Sequence, residues 1–208
     1  MNVDFTQGLR DAAFLFHGES NIGRLAYQVF PGGFAPSDFA EAFSDFSFLA
    51  TVKPTLPDGA LFAMTNNMQD KIIIGVNISS AEYKQQKISL ILTDVNNDDE
   101  TIIAAEYLVP NFVNKWTTLG ISVVGDATML YFNCEEYGPV YFNRLSGWSL
   151  HIPDDAAVFV GHLGHGMGQY RASYQVGIFC LSVSPRRLLG EIRGYFASRQ
   201  EITPPHHK

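Results

Sequence analysis

Charge is scarce in this chain. Asp, Glu, Lys and Arg make up only 17% of its 208 residues while hydrophobic residues make up 46%, a balance that excludes a mostly disordered segment and requires a buried core. Basic residues are scarcer still: 14 Lys and Arg against 21 Asp and Glu leave a formal charge of -7. That excludes wholesale binding to nucleic acid and confines any polyanion site to a local patch. Long apolar runs are missing too, none approaching the roughly eighteen residues of a membrane span, so no membrane partner is expected. Met1 is followed by NVDFTQGLR instead of a basic and then apolar leader, and the chain reads as a mature fragment.

Cysteine is limited to Cys134 and Cys180. Two cysteines suit a lone disulfide in a secreted domain or two buried thiols in a cytosolic one, and composition leaves both open. A bridge would close a loop of roughly 46 residues and in the chain-entropy model stabilise the fold by about 4 kcal/mol. A domain of this length buries about 70% of its unfolded surface and needs neither metal nor disulfide to fold. Catalytic and metal signatures are absent: there is no Gly-x-Ser-x-Gly elbow, no Cys-x-x-Cys and no His-Glu-x-x-His.

What is present is period-two alternation in short runs, the mark of pleated strands. In 45–53 the residues Phe46, Phe48, Ala50 and Val52 share a face, and PTLPDG at 54–59 ends the run with turn chemistry before 60–65 returns. Segment 71–77 sets Ile72, Ile74 and Val76 against Ile73 and Gly75, as a central strand buried on both faces would. Segments 87–94 and 101–108 form a hairpin across NNDDE. A second hairpin starts at Trp116, with Leu119, Ile121 and Val123 on one face and Gly125-Asp126 as its turn. Its return strand sets Leu130, Phe132 and Cys134 on one face and Met129, Tyr131 and Asn133 on the other. Further strands are expected at 148–152, 157–163 and 173–183. Helix is expected only near the ends: Leu9, Ala12, Ala13 and Phe16 stand at helical spacing, and Ser184-Pro185 resembles an N-cap and first turn ahead of Leu188, Leu189 and Ile192. Strands this numerous mean a sandwich or barrel; the fold expected is an all-β, antiparallel two-sheet sandwich with short terminal helices, one domain over 1–198 and a tail at 199–208.

Three stretches carry a likeness: DFSFLATVKPTLPDGALFAMTN, WTTLGISVVGDATMLYFNCEEY and YQVGIFCLSVSP. They resemble the thrombospondin N-terminal-like domain, a laminin-G-like jelly roll, in the version carried by the multiplexin collagens of types XV and XVIII. The resemblance implies a secreted, non-enzymatic extracellular matrix module without a cofactor. Its implied partners are matrix proteins or sulfated glycosaminoglycans such as heparan sulfate. The isolated domain is expected to be a monomer, with trimers formed by a collagenous parent. Family members pair the cysteine matching Cys134 with one beyond the last strand, whereas Cys180 lies inside the last expected strand.

Several side-chain groups invite a functional reading. Asn77-Ile78-Ser79 is a glycosylation sequon. Arg186, Arg187, Arg193 and Arg199 form a basic concentration, a glycosaminoglycan-binding candidate because guanidinium forks match oxyanions; the plainer reading is a solvated helix face. Asp94, Asn96, Asp98 and Asp99 offer oxygens at calcium-like spacing but read more simply as a solvated turn, and His162 and His165 in GHLGHGMG as a strand-to-strand loop, so no metal site is expected. The adjacent Glu135 and Glu136 would point to opposite faces of a strand and could not act as an acid/base couple. Tyr131, Asn133, Tyr137 and Tyr141 would serve the alternative function, a lectin-like carbohydrate-binding jelly roll.

Overall fold

The computed structural model describes residues 3–7, 12–16, 45–66, 68, 70–94, 100–143, 150, 157–161 and 174–182. Twelve strands run through them: β1 (Val3–Gln7), β2 (Ala12–Phe16), β3 (Phe46–Pro54), β4 (Gly59–Thr65), β5 (Ile72–Ala81), β6 (Gln85–Asp94), β7 (Glu100–Pro110), β8 (Thr117–Val124), β9 (Ala127–Phe132), β10 (Glu135–Tyr141), β11 (Ala157–Val160) and β12 (Tyr174–Ser182). They form two antiparallel sheets, one ordered β1-β2-β12-β3-β8-β9-β10 and the other β11-β4-β5-β6-β7. This is a two-sheet sandwich, one of the two classes, sandwich or barrel, that the alternation allows, and the jelly roll that the resemblance implies.

The core lies between the sheets because alternate residues on facing strands point at one another. Phe46, Phe48, Ala50 and Val52 of β3 and Leu119, Ile121 and Val123 of β8 are buried against Phe62, Ile74, Val76, Ile88, Leu90 and Leu92 from the other sheet. The Phe48 and Phe62 rings meet across the gap at 5.5 Å. At 25 cal/mol per Å², each such side chain stabilises the fold by about 2 kcal/mol before entropy is counted. One polar thread also crosses the core: the buried Tyr107 hydroxyl of β7 donates to Thr128 Oγ1 of β9 at 2.6 Å, and Thr128 Oγ1 donates to the Val140 carbonyl of β10 at 3.1 Å. Burial pushes the Tyr107 phenol up to about 12, the bond to Thr128 offsetting part of the rise.

β5 is central and buried on both faces over most of its length, as its double apolar pattern predicts. Its outward Gly75 sits between Ile72 and Ile91, where an added Cβ would come within 2.9 Å of Ile72 Cγ2. Ile72, with Ala60, Ala63 and Phe159, forms a second small apolar cluster against which Ile91 packs. The two expected hairpins are present, Asp94 pairing with Glu100 and Val124 with Ala127. Gly125 has a φ of +60 at the first turn position, as a two-residue hairpin requires of a glycine.

The structure departs from the sequence expectation in three places. The opening segment is no helix: β1 and β2 are antiparallel strands, Val3 opposite Phe16, because β2 is completed by pairing with β12. The second strand of the Trp116 hairpin stops at Phe132. Asn133 and Cys134, with φ of 49 and 77, make a left-handed two-residue turn of the type I′ kind, so Cys134 is not on the strand face that carries Leu130 and Phe132. The chain then returns as a further strand, β10, whose Gly138-Pro139 segment is absorbed by a bulge between Tyr137 and Val140. The expected helix after Ser184 and most of the expected strand at 148–152 lie outside the described residues.

Candidate recognition surface at one end of the sandwich

Antiparallel connections bring residues 55–58, 82–84, 111–116 and 133–134 to the same end of the two sheets. Gln86 organises this end. It is fully buried near the start of β6, and its amide is satisfied in both directions: Nε2 donates to the Pro57 carbonyl at 2.8 Å, and Oε1 accepts from Phe112 N at 2.9 Å. One side chain thus ties the β3–β4 loop to the β7–β8 loop. Asp58 adds a second tie by accepting from the backbone N and, at 3.0 Å, from the hydroxyl of Ser80.

Three lysines belong to these loops and strand ends. Asn111 N donates to the Lys84 backbone carbonyl at 3.2 Å, and the Asn111 carbonyl accepts from Lys115 Nζ at 3.2 Å, so the backbone of Lys84 and the side chain of Lys115 both bond Asn111. Asn114 N donates to the Pro54 carbonyl at 2.7 Å, which draws the end of β3, with Lys53, against the same loop. Tyr83 and Lys84 both take positive φ, 55 and 60, at the β5–β6 turn, and Tyr83 is 90% exposed. Tyr83 is thus an unshielded ring next in sequence to the exposed Lys84. Carboxylates share this end: Glu82, Glu135 and Glu136 are exposed. Of these, Glu135 accepts from Tyr137 at 3.3 Å. The lysines of this end therefore stand in mixed charge.

The sequence candidates fall elsewhere. The four tyrosine and asparagine residues of the lectin reading are not brought together: Tyr131 is buried on β9, Asn133 is exposed but its Oδ1 accepts from Thr118 N at 2.9 Å, Tyr137 is half-buried with its ring edge-on to Phe132 at 6.0 Å, and Tyr141 is exposed on β10. Burial, reinforced by the Glu135 charge and hydrogen bond, raises the Tyr137 pKa. Cys134 and Cys180 are not neighbours either. Cys180 on β12 pairs with Leu49 on β3, Leu49 with Gly120 on β8, and Gly120 with Tyr131 on β9, placing the cysteines on elements three interstrand spacings, about 14 Å, apart. A disulfide needs Cα atoms within about 7 Å. Asn77 lies on the outer face of β5, between Ala60 of β4 and Ser89 of β6.

Arg186, Arg187, Arg193 and Arg199 lie outside the described residues, as do His162, His165, Asn96, Asp98 and Asp99; Asp94 ends β6. Among the described residues no three His, Cys, Asp or Glu side chains are grouped as a metal site. Glu135 and Glu136 open β10, opposite Phe132 and Tyr131. Sequence reasoning did not single out this end of the sandwich because Lys53, Lys84 and Lys115 are far apart in the chain; Asn at 111, 114 and 133 was the available sign of loops built on side-chain-to-backbone bonds.

No protein-family model matches the chain. The human collagen alpha-1(XVIII) chain is 35% identical over 153 residues, 73% of this chain, which spans 8% of that collagen's length. Among solved structures, domain 4 of the extracellular GH43 arabinanase AbnA from Geobacillus stearothermophilus, solved with arabinotriose, aligns over 89% of this chain and 79% of its own with a TM-score of 0.51 and 14% identity. Domains LG4-5 of the mouse laminin alpha1 chain align over 68% of this chain and 36% of theirs, with a TM-score of 0.48 and 9% identity. The structural likeness speaks for the fold alone; the sequence relationship goes further and shows that this chain belongs with the multiplexin collagens, as a domain of the thrombospondin N-terminal-like, laminin-G-like kind.

Proposed function

We propose that the chain is a non-catalytic recognition module of a secreted, collagen-type extracellular matrix protein, and that it binds sulfated glycosaminoglycan. The 35% identity to collagen XVIII over 73% of the chain carries the reading. The module extends over 1–198, followed by a tail at 199–208, and is a monomer in isolation. Two basic groups supply the ligand contacts: Lys53, Lys84 and Lys115 at the loop end, with Tyr83 beside them, and the arginines Arg186, Arg187, Arg193 and Arg199 further along the chain. Ammonium groups meet sulfate as point charges, and guanidinium forks meet it with paired donors.

Heparin affinity chromatography in low salt tests the proposal. The wild-type chain is expected to be retained and then released by salt. The Lys84→Ala, Lys115→Ala double variant and the Arg186→Ala, Arg187→Ala double variant should each elute earlier. Passage of the wild-type chain through the column unretained would discard the glycosaminoglycan reading.

A further inference from the structure

We infer that Asn77 carries an N-linked glycan which lies across the outer face of the five-stranded sheet and shields the apolar edge strand β7; this rests on the secreted reading above. The geometry begins with the strand period. Asn77 and Ser79, the two required members of the sequon, fall on the outer face of β5, while Ile78 between them is 1% exposed and belongs to the core. Asn77 is half-buried, yet its Oδ1 is buried without a hydrogen-bond partner. Leaving a buried acceptor unpaired destabilises a fold, so the amide is not held there for what its oxygen contributes to it. Its backbone is paired on both sides, which leaves the rest of the side chain to account for the exposure.

The surroundings set the direction in which a sugar would extend. On the β4 side Ala60 and Ala63 are fully buried, and they belong to the cluster with Ile72 and Phe159. On the β7 side the same face opens only beyond β6. Ser89, opposite Asn77, is itself buried and its hydroxyl donates to Glu106 Oε1 at 3.4 Å; beyond it Glu106 is 42% exposed and held by Lys87 at 2.7 Å. Ile103 and Leu108 flank Glu106 on β7 and are 61% and 55% exposed. These are large apolar side chains on the last strand of the sheet, a place where unshielded surface invites association. From Asn77 to β7 is two interstrand spacings, about 10 Å, within the span of the first two sugars of a glycan stem.

The step itself is a glycosyl transfer from a lipid-pyrophosphate-linked oligosaccharide. Asn77 Nδ2 forms a bond to the anomeric carbon and the bond from that carbon to the pyrophosphate oxygen breaks. The electron pair leaves with the pyrophosphate, and Nδ2 gives up one proton to a base of the transferase.

The test is to place the full 208-residue chain behind a heterologous secretion signal in glycosylating cells and measure its intact mass before and after an amidase that releases N-glycans. The expected result is a mass excess that the amidase removes and that maps to Asn77. Ser79→Ala and Asn77→Gln should each abolish it. Amidase-treated wild type, already folded, should bind more apolar dye and self-associate more than the untreated protein, and Ile103→Lys, Leu108→Lys should reverse that gain. An unmodified Asn77 in the secreted chain, or a glycan whose removal leaves dye binding and association unchanged, would overturn the inference. Either result leaves heparin retention unaffected, so this failure is distinguishable from failure of the glycosaminoglycan reading.

Discussion

Tyr107 carries a hydroxyl from one sheet to the other, and its ionisation therefore reports on the packed state. With the folded-state value at about 12 against the ordinary 10, the unfolded chain releases the phenol proton first as pH rises. The stability linked to Tyr107 is fully present below pH 10 and is lost progressively as pH climbs toward 12. Tyr107→Phe should flatten that part of the difference in urea midpoint between neutral and alkaline pH, while losing about 1 kcal/mol at neutral pH with its hydrogen bond to Thr128. Gln86 is the other residue whose polar atoms organise buried space. Gln86→Leu should cost about 2 kcal/mol or more in denaturant unfolding, since the Pro57 carbonyl and the Phe112 N–H lose their side-chain partner together.

Elements were legible where both sides of a pattern agreed. The run from Phe46 to Val52 alternates cleanly and is a strand; so are 117–124 and 127–132, joined by a glycine of positive φ. The opening segment misleads because Ala12–Phe16 is a short apolar run, and a run of that length fits a helix turn as well as a strand until its partners are known. Pairing with β1 and β12 decides it, and that is tertiary information. β10 was hidden for the opposite reason: adjacent glutamates and a Gly-Pro pair look like a loop, yet at a sheet edge a bulge accommodates them. Cys134 was misplaced with it, because Asn133 can adopt a left-handed conformation that sequence alternation does not reveal. The centre of β5 offers an element-scale test. Gly75→Ala forces a methyl against Ile72 and Ile91 and should destabilise the sandwich by about 1–3 kcal/mol, read as a lower midpoint with an unchanged slope in denaturant unfolding.

At the scale of the whole molecule, the proposed binding of a polyanion by an acidic chain requires placement instead of net charge. The Lys84 backbone and the Lys115 side chain bond Asn111, Asn114 bonds the Pro54 carbonyl next to Lys53, and Glu82, Glu135 and Glu136 stand at the same end. Binding of that kind is short-ranged, because in 0.15 M salt the screening length is about 8 Å. None of this was legible in the sequence, where the arginines of 186–199 were the conspicuous cluster and the lysines stood isolated. The most direct test is equilibrium titration of the chain with heparin and with chemically desulfated heparin over a range of salt. The account predicts binding to the sulfated polymer, with the logarithm of the affinity falling linearly with the logarithm of salt concentration, and none to the desulfated one. Equal affinity for both, or no binding to heparin at the lowest salt, would contradict it.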